Sequence, residues 1–155
     1  MRAWYDIRGL QLSRDQDEAG IEQSAKEIRA LIRRENERGI QSDRIVLAGF
    51  SQGGAMAVHV ATRLEERLAG LMVLSGYLLF PGRLESERHK ANERLPVFIG
   101  HGSMDPMVPM ALGQDLAERL RALEYPVTWN QYPIPHSVSQ EEIADVGNWL
   151  AERLA

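Results

Sequence analysis

The sequence predicts an α/β fold, a mostly parallel sheet with helices on both faces, on three observations. Strand-like and helix-like segments alternate along the chain, the order that builds parallel sheets through helical crossovers. The strand candidates are uniformly apolar rather than alternating, as strands covered on both faces are. A G-x-S-x-G pentapeptide, Gly49-Phe50-Ser51-Gln52-Gly53, stands between a strand candidate and a helix candidate. There a sharp turn lifts a serine hydroxyl clear of the sheet.

The elements follow in order. Ala3–Ile7 has the composition of a short strand. Asp15 to Arg38 is an amphipathic helix, with Ile21, Ala25, Ile28, Leu31 and Ile32 at the spacing of one face. Asp15 and Glu18 have capping-box spacing, and Gly39 suits the C-terminal end. Ile45 to Ala48 is a strand, and Gly53 to Leu68 a helix. Leu71–Leu74 and Leu95–Gly100 are strands, the latter closed by His101-Gly102. Met110 to Leu123 is a helix and Val127 to Tyr132 a strand. The last helix runs from Gln140 to Leu154, with Ser139 and Glu142 as a second capping box. Pro81 to Arg94 is charged and irregular and reads as a surface excursion. No linker, repeat or low-complexity tract divides residues 1–155, which read as one domain.

Composition excludes several classes. A chain of 155 residues can bury roughly 70% of its unfolded surface. A net charge of −4 gives no footprint for nucleic acid or an anionic membrane. There is no cysteine, which removes disulfides, thiolate metal sites and a cysteine nucleophile. No apolar run has the length of a membrane span, and Met1-Arg2-Ala3-Trp4-Tyr5-Asp6 lacks the apolar core of a signal peptide. The expected location is cytoplasmic.

Two later segments complete the chemistry begun at Ser51. Asp105 lies in His101-Gly102-Ser103-Met104-Asp105-Pro106, after a strand candidate, where loops of an open α/β sheet face the ligand crevice. Alone, it reads equally as an aspartate that closes a turn. His136 follows the final strand and precedes the final helix. Of the other histidines, His59 falls inside a helix, His89 lies among Arg88 and Lys90 as a solvated residue, and His101 shapes the loop beside Asp105. The order Ser51, Asp105, His136 is that of the α/β-hydrolase triad, each member after a different strand. In such a site His136 takes the serine proton and passes it to the leaving alcohol. Asp105 holds the imidazole in the required tautomer. The Gln52 backbone N–H, next after the nucleophile, supplies one oxyanion donor, and its side chain reads as spacing.

Gly49-Phe50-Ser51-Gln52-Gly53-Gly54-Ala55-Met56, His101-Gly102 with Asp105-Pro106 and Val108-Pro109, and His136-Ser137-Val138 resemble the bacterial carboxylesterase and acyl-protein thioesterase family, the phospholipase/carboxylesterase group. Ala3-Trp4-Tyr5-Asp6-Ile7 resembles that family's strand before the long helix. The resemblance implies an α/β-hydrolase fold and hydrolysis of short- to medium-chain carboxylic esters, without a metal or organic cofactor. Thioesters of acylated proteins and lysophospholipids are the alternative substrates. Ser75-Gly76-Tyr77-Leu78 resembles the loop that lines the acyl pocket. The resemblance implies substrate contacts at Tyr77, Leu78, Met107 and Val108. Leu78, Leu79 and Phe80 are either acyl contacts or core residues that end a strand.

The family's chain begins well before the match to Ala3–Ile7, and the earlier part carries its first strands and a His-Gly-type oxyanion loop. No such loop precedes Ser51 here. Either the sequence is an N-terminally short piece, or it completes itself by dimerising, or it is a weakly active form. Loss of one oxyanion donor costs about 100- to 1000-fold in turnover, so weak esterase activity is expected. An exposed Ala3–Ile7 edge would invite pairing with another chain, and a homodimer is expected. The reading from a different class is a non-catalytic hydrolase-fold module that binds an acyl group or a protein. A fluorophosphonate probe separates the two, because it needs an activated serine.

Overall fold

The structure, a computed structural model, describes residues 3–6 and 16–155. Four parallel strands, β1 (Val46–Phe50), β2 (Gly70–Leu74), β3 (Val97–Gly102) and β4 (Val127–Tyr132), lie in the order β1-β2-β3-β4. The register pairs Val46 with Gly70, Leu71 with Val97, and Val97 with Val127. Helices α1 (Glu18–Glu37), α2 (Gln52–Arg63) and α4 (Met110–Ala122) pack on one face, and α5 (Gln140–Leu154) on the other. Alternate strand residues sort accordingly: Leu71, Val73, Val97 and Ile99 join the larger core, while Met72 and Phe98 meet Trp149 of α5. This is the expected α/β-hydrolase type of arrangement, and its central strands β2 and β3 are buried almost throughout. No helix among the described residues is long and apolar enough to cross a membrane.

Helix α1 buries Ile21, Ala25, Ile28 and Ile32 as its spacing predicts. Each fully buried isoleucine is worth about 1.5–3 kcal/mol. Leu31 departs from the prediction and is 56% exposed. Consecutive positions on a helix stand about 100° apart, and Ile32 already occupies the buried stripe. Asp15 lies outside the described residues. Asp17 takes the N-cap position, and Glu18 pairs with Arg83 instead of closing a capping box.

Three boundaries differ for tertiary reasons. Helix α2 ends at Arg63, five residues before the expected Leu68. Leu64 turns extended, and the side chain of the buried Asn92 replaces the lost helical bonds. Its Nδ2 donates to the carbonyls of Leu64 and Glu66, and its Oδ1 accepts from Leu68 N–H. The Pro81–Arg94 segment is therefore no mere surface excursion. It contains the short helix α3 (Leu84–Glu87) and buries Leu84 and Asn92. His101 and Gly102 are the last residues of β3, not a closing loop. Ala3–Asp6, the described part of the predicted first strand, is bend and irregular backbone outside the sheet, and Ile7 lies outside the described residues. The outer edge of β1, with Ala48 and Phe50 exposed, is the sheet edge instead.

The second capping box forms by half. Ser139 Oγ accepts from Glu142 N–H at 3.1 Å, a contact of the kind worth about 1 kcal/mol. The Glu142 carboxyl does not return the bond. It lies 1% exposed against Gly100, and among the described residues neither oxygen meets a donor at hydrogen-bonding geometry. Burial pushes this carboxyl above its ordinary 4.5, the nearby Ser139 backbone pulls the other way without outweighing it, and Asp145 adds to the rise. The native state therefore keeps a proton that the unfolded chain loses once the pH passes about 4.5. Glu142 weakens the fold progressively as pH rises from there toward its native value. The neutral, isosteric Glu142→Gln is expected to gain on wild type in thermal stability as the pH rises above about 4.5. Parallel melting curves across that range would contradict the burial argument.

Candidate active site

Ser51, Asp105 and His136 come from the C-terminal ends of three parallel strands: Ser51 directly after β1, Asp105 three residues after β3, His136 four residues after β4. Parallel strands end at one rim of the sheet, which is how residues distant in the chain converge.

The turn at Ser51 is built by close approach. Its backbone adopts φ 55° and ψ −121°, a region that costs about 1–3 kcal/mol. It is held by Ser51 N–H donating to the Leu74 carbonyl at 2.8 Å. The end of β1 passes so near the start of α2 that a Cβ on Gly49 would stand 2.2 Å from both the carbonyl carbon and oxygen of Gly53. Only glycine fits at position 49. Gln52 is the first residue of α2, so its N–H has no acceptor within the helix.

The three side chains form one hydrogen-bonded chain. His136 Nε2 lies 3.0 Å from Ser51 Oγ, and His136 Nδ1 lies 2.6 Å from Asp105 Oδ2. With Asp105 ionised, Nδ1 carries the proton and Nε2 is free to accept from the serine. Asp105 is also the turn former that its sequence context suggests. Its Oδ1 accepts from Met107 N–H and Val108 N–H, both at 2.8 Å, while Oδ2 serves the imidazole. The two readings hold together because a carboxylate has two oxygens. Burial acts to raise the Asp105 carboxyl, but the bonds from His136, Val108 and Met107 outweigh it and hold it below the usual carboxylate range.

His101 supports this loop from below. It is fully buried, and its Nε2–H donates to the Val108 carbonyl at 2.8 Å. His59 is buried in α2 with Nε2 3.1 Å from Glu22, and burial lowers its pKa, reinforced by Arg63. His89 is not simply solvated: its Nδ1 accepts from Ala91 N–H at 3.2 Å and starts a helical turn. Among the described residues no cluster of histidine and carboxylate side chains has the make-up of a metal site.

The residues expected to touch substrate divide. Met107 is exposed beside Asp105. Tyr77, Leu78 and Val108 are buried, and with Leu79 they belong to the core cluster. The core alternative is thus where the structure puts Leu78 and Leu79, while Phe80 packs partly buried against the same core. Two features escaped the sequence reading. Phe50, the variable second residue of the pentapeptide, is 39% exposed, with its ring centroid 4.7 Å from that of His136. The Gln52 side chain is no spacer. Its Oε1 accepts from Trp4 N–H and its Nε2 donates to the Tyr5 carbonyl, both at 2.9 Å. The adjacency of Phe50 to the nucleophile was the available signal for the first; nothing local signals the second.

Comparison with known proteins gives one family. A family model described as Phospholipase/Carboxylesterase matches residues 1–154. Acyl-protein thioesterase 1 of Neurospora crassa is 38% identical over 162 residues, covering 99% of this chain and 66% of that protein. Acyl-protein thioesterase 1 of Yarrowia lipolytica is 34% identical over 158 residues, covering 99% and 70%. The chain thus spans about two thirds of the length of these relatives. Among solved structures, Arabidopsis thaliana SOBER1 superposes with a TM-score of 0.92 at 26% identity, covering 100% of this chain and 75% of that one. Zea mays acyl-protein thioesterase 2 gives a TM-score of 0.85 at 25% identity, covering 99% and 73%.

Proposed function

Because the chain belongs to the phospholipase/carboxylesterase family, we propose that it is a serine hydrolase that cleaves short- to medium-chain carboxylic esters through an acyl-enzyme. The observation that carries this reading is the continuous chain from Ser51 Oγ through His136 to Asp105, at 3.0 and 2.6 Å. Ser51 Oγ attacks the ester carbonyl as its proton passes to His136 Nε2. Asp105 steadies the imidazolium. The Gln52 N–H faces the negative charge that develops on the carbonyl oxygen, aided by the positive end of α2. Collapse breaks the bond to the alcohol, which leaves with the proton from His136. A water molecule, deprotonated by the same nitrogen, then attacks the acyl-serine and releases the acid. Met107 and Phe50, exposed beside the triad, provide apolar surface for the substrate.

A thioester substrate is the second reading, favoured by the names of the relatives. It uses the same machinery, because a thiolate leaves from the same tetrahedral intermediate. The test is a matched pair of oxygen esters and thioesters of equal acyl length, run beside fluorophosphonate labelling. Labelling at Ser51 with a higher kcat/KM for the oxygen esters is the expected result. Preference for the thioesters would select the second reading. Absence of both labelling and turnover would select the non-catalytic binding module.

We further propose that the protein is a homodimer with the outer edge of β1 at the contact. Ala48 is exposed there, and among the described residues no strand pairs with that edge. Unpaired edges recruit other strands. Sedimentation at micromolar concentration should give a dimer mass, and a monomer at that concentration would rule the contact out.

A further inference from the structure

The two rims of the sheet differ in composition, although loops at both meet solvent. Where the strands begin, charge is dense: Glu65, Glu66 and Arg67 precede β2, and Lys90, Glu93 and Arg94 precede β3. At the triad rim, residues 103–109 after β3 and 133–139 after β4 carry only two ionisable side chains, Asp105 and His136. Both belong to the triad. In a chain that is 26% charged, solvent exposure alone would put charge at both rims.

What these two loops expose is apolar. Met104 is 61% exposed and Met107 67%, and Val138 is exposed two residues after His136. Pro106, Pro109, Pro133 and Pro135 of the same loops are exposed as well. The loops form one surface. Ser103 N–H donates to the Tyr132 carbonyl at 2.8 Å and Met104 N–H to the Ile134 carbonyl at 3.1 Å, which fastens the Asp105 loop to the start of the His136 loop. Phe50 joins them through its ring contact with His136. Trp4, bonded to the Gln52 side chain, is exposed next to the nucleophile turn. Scattered apolar residues such as Leu31 and Ile40 are ordinary on a soluble surface, whereas a group about one site marks an interaction.

Phe50 and Met107 suffice for one dissolved ester, and Met104, Val138 and Trp4 extend the apolar surface past them. Unbranched methionines conform to an irregular acyl layer, and tryptophan suits a boundary that is apolar on one side and wet on the other. Binding to such a boundary grows with the apolar area it buries. The net charge of −4 repels an anionic surface, and neither loop has a Lys or Arg to reverse that.

We propose that the triad rim, residues 103–109 and 133–139 with Phe50 and Trp4, is a docking surface for a net-neutral lipid interface. The proposal rests on the ester-hydrolase reading for what is cleaved there, and on the surface alone for binding.

The test is flotation with phosphatidylcholine vesicles for wild type, the double variant Met104→Gln/Val138→Thr, and Ile40→Thr. Ile40 is an exposed apolar residue ahead of β1, at the opposite rim. None of these side chains belongs to the catalytic or ester-binding groups above. Wild type is expected to float, and less so as phosphatidylglycerol replaces phosphatidylcholine. The double variant should partition at least fivefold more weakly, and Ile40→Thr should match wild type. The double variant should also lose at least fivefold in kcat/KM on p-nitrophenyl laurate carried in the vesicles, while keeping kcat/KM on dissolved p-nitrophenyl acetate. Equal binding by wild type and double variant, binding that rises with anionic lipid, or a wild type that hydrolyses the acetate yet stays off the vesicles would overturn the docking surface and leave the hydrolase reading. A wild type that stays off the vesicles as a dimer that the double variant separates would overturn it too, and give the rim to a second copy. A wild type that floats as expected but hydrolyses neither ester would sustain the docking surface and overturn the hydrolase reading.

Discussion

Ser51→Ala is expected to lower ester turnover by about a million-fold and to abolish fluorophosphonate labelling, and His136→Ala to do nearly the same. The two effects should not multiply, because serine and imidazole act as one unit: without the base the hydroxyl is unactivated, and without the hydroxyl the base has nothing to deprotonate. Asp105→Asn separates the two jobs of that side chain. Its amide oxygen can still accept from Met107 and Val108 N–H, as Oδ1 does now at 2.8 Å. Its amide nitrogen would then face His136 Nδ1 and donate to it. That forces the proton onto Nε2, the nitrogen that must accept from Ser51, and turnover should fall about ten-thousand-fold with the loop intact. Asp105→Ala loses the loop bonds as well and should also melt lower. Thermal melts beside kinetics on purified variants check both halves. Appreciable esterase activity in a contaminant-free Ser51→Ala protein would end the mechanism.

Gly49→Ala is expected to be the most damaging methyl addition among the described glycines. Its Cβ would meet the Gly53 carbonyl carbon and oxygen at 2.2 Å and the Gly54 nitrogen at 2.5 Å, all backbone of the helix that carries the oxyanion donor. No side-chain rotation relieves that clash, so strand and helix must separate. A loss above about 3 kcal/mol is anticipated, which at this chain length is at least about 6 °C in Tm. Activity should fall further than stability does, because Ser51 sits at the point that must open. Two other glycines provide the scale. A Cβ at Gly53 would meet only Trp4 Nε1 at 3.4 Å, so Gly53→Ala should be mild. Gly147 lies inside α5 with nothing within 4 Å of an added Cβ, and Gly147→Ala should stabilise by about 0.5–1 kcal/mol. A Gly49→Ala protein that melts with wild type and keeps its turnover would mean that the elbow is looser than drawn.

The sequence by itself determined the features whose causes lie within a few residues. The small residues around Ser51, the apolar runs of β2 and β3, the start of α5 behind Ser139 and the left-handed Gly39 after α1 all follow from local sterics, periodicity and capping. The convergence of Ser51, Asp105 and His136 could be read as well, because a strand-by-strand order of the three needs only the parallel topology to bring them to one rim. What the tertiary structure alone decided involves partners far apart in sequence. Asn92 ends α2 early by binding Leu64–Leu68 backbone, 24 to 28 residues away. Gln52 reaches Trp4 and Tyr5 across 48 and 47 residues, and Tyr5 reaches Tyr77 across 72. Glu142 ends buried rather than capping, because its carboxyl is directed against Gly100 beneath the sheet. Hydrogen bonds of this kind depend on side-chain direction after packing. Neither hydrophobic period nor turn chemistry encodes that direction, so they become visible only when the sheet has brought the strands together.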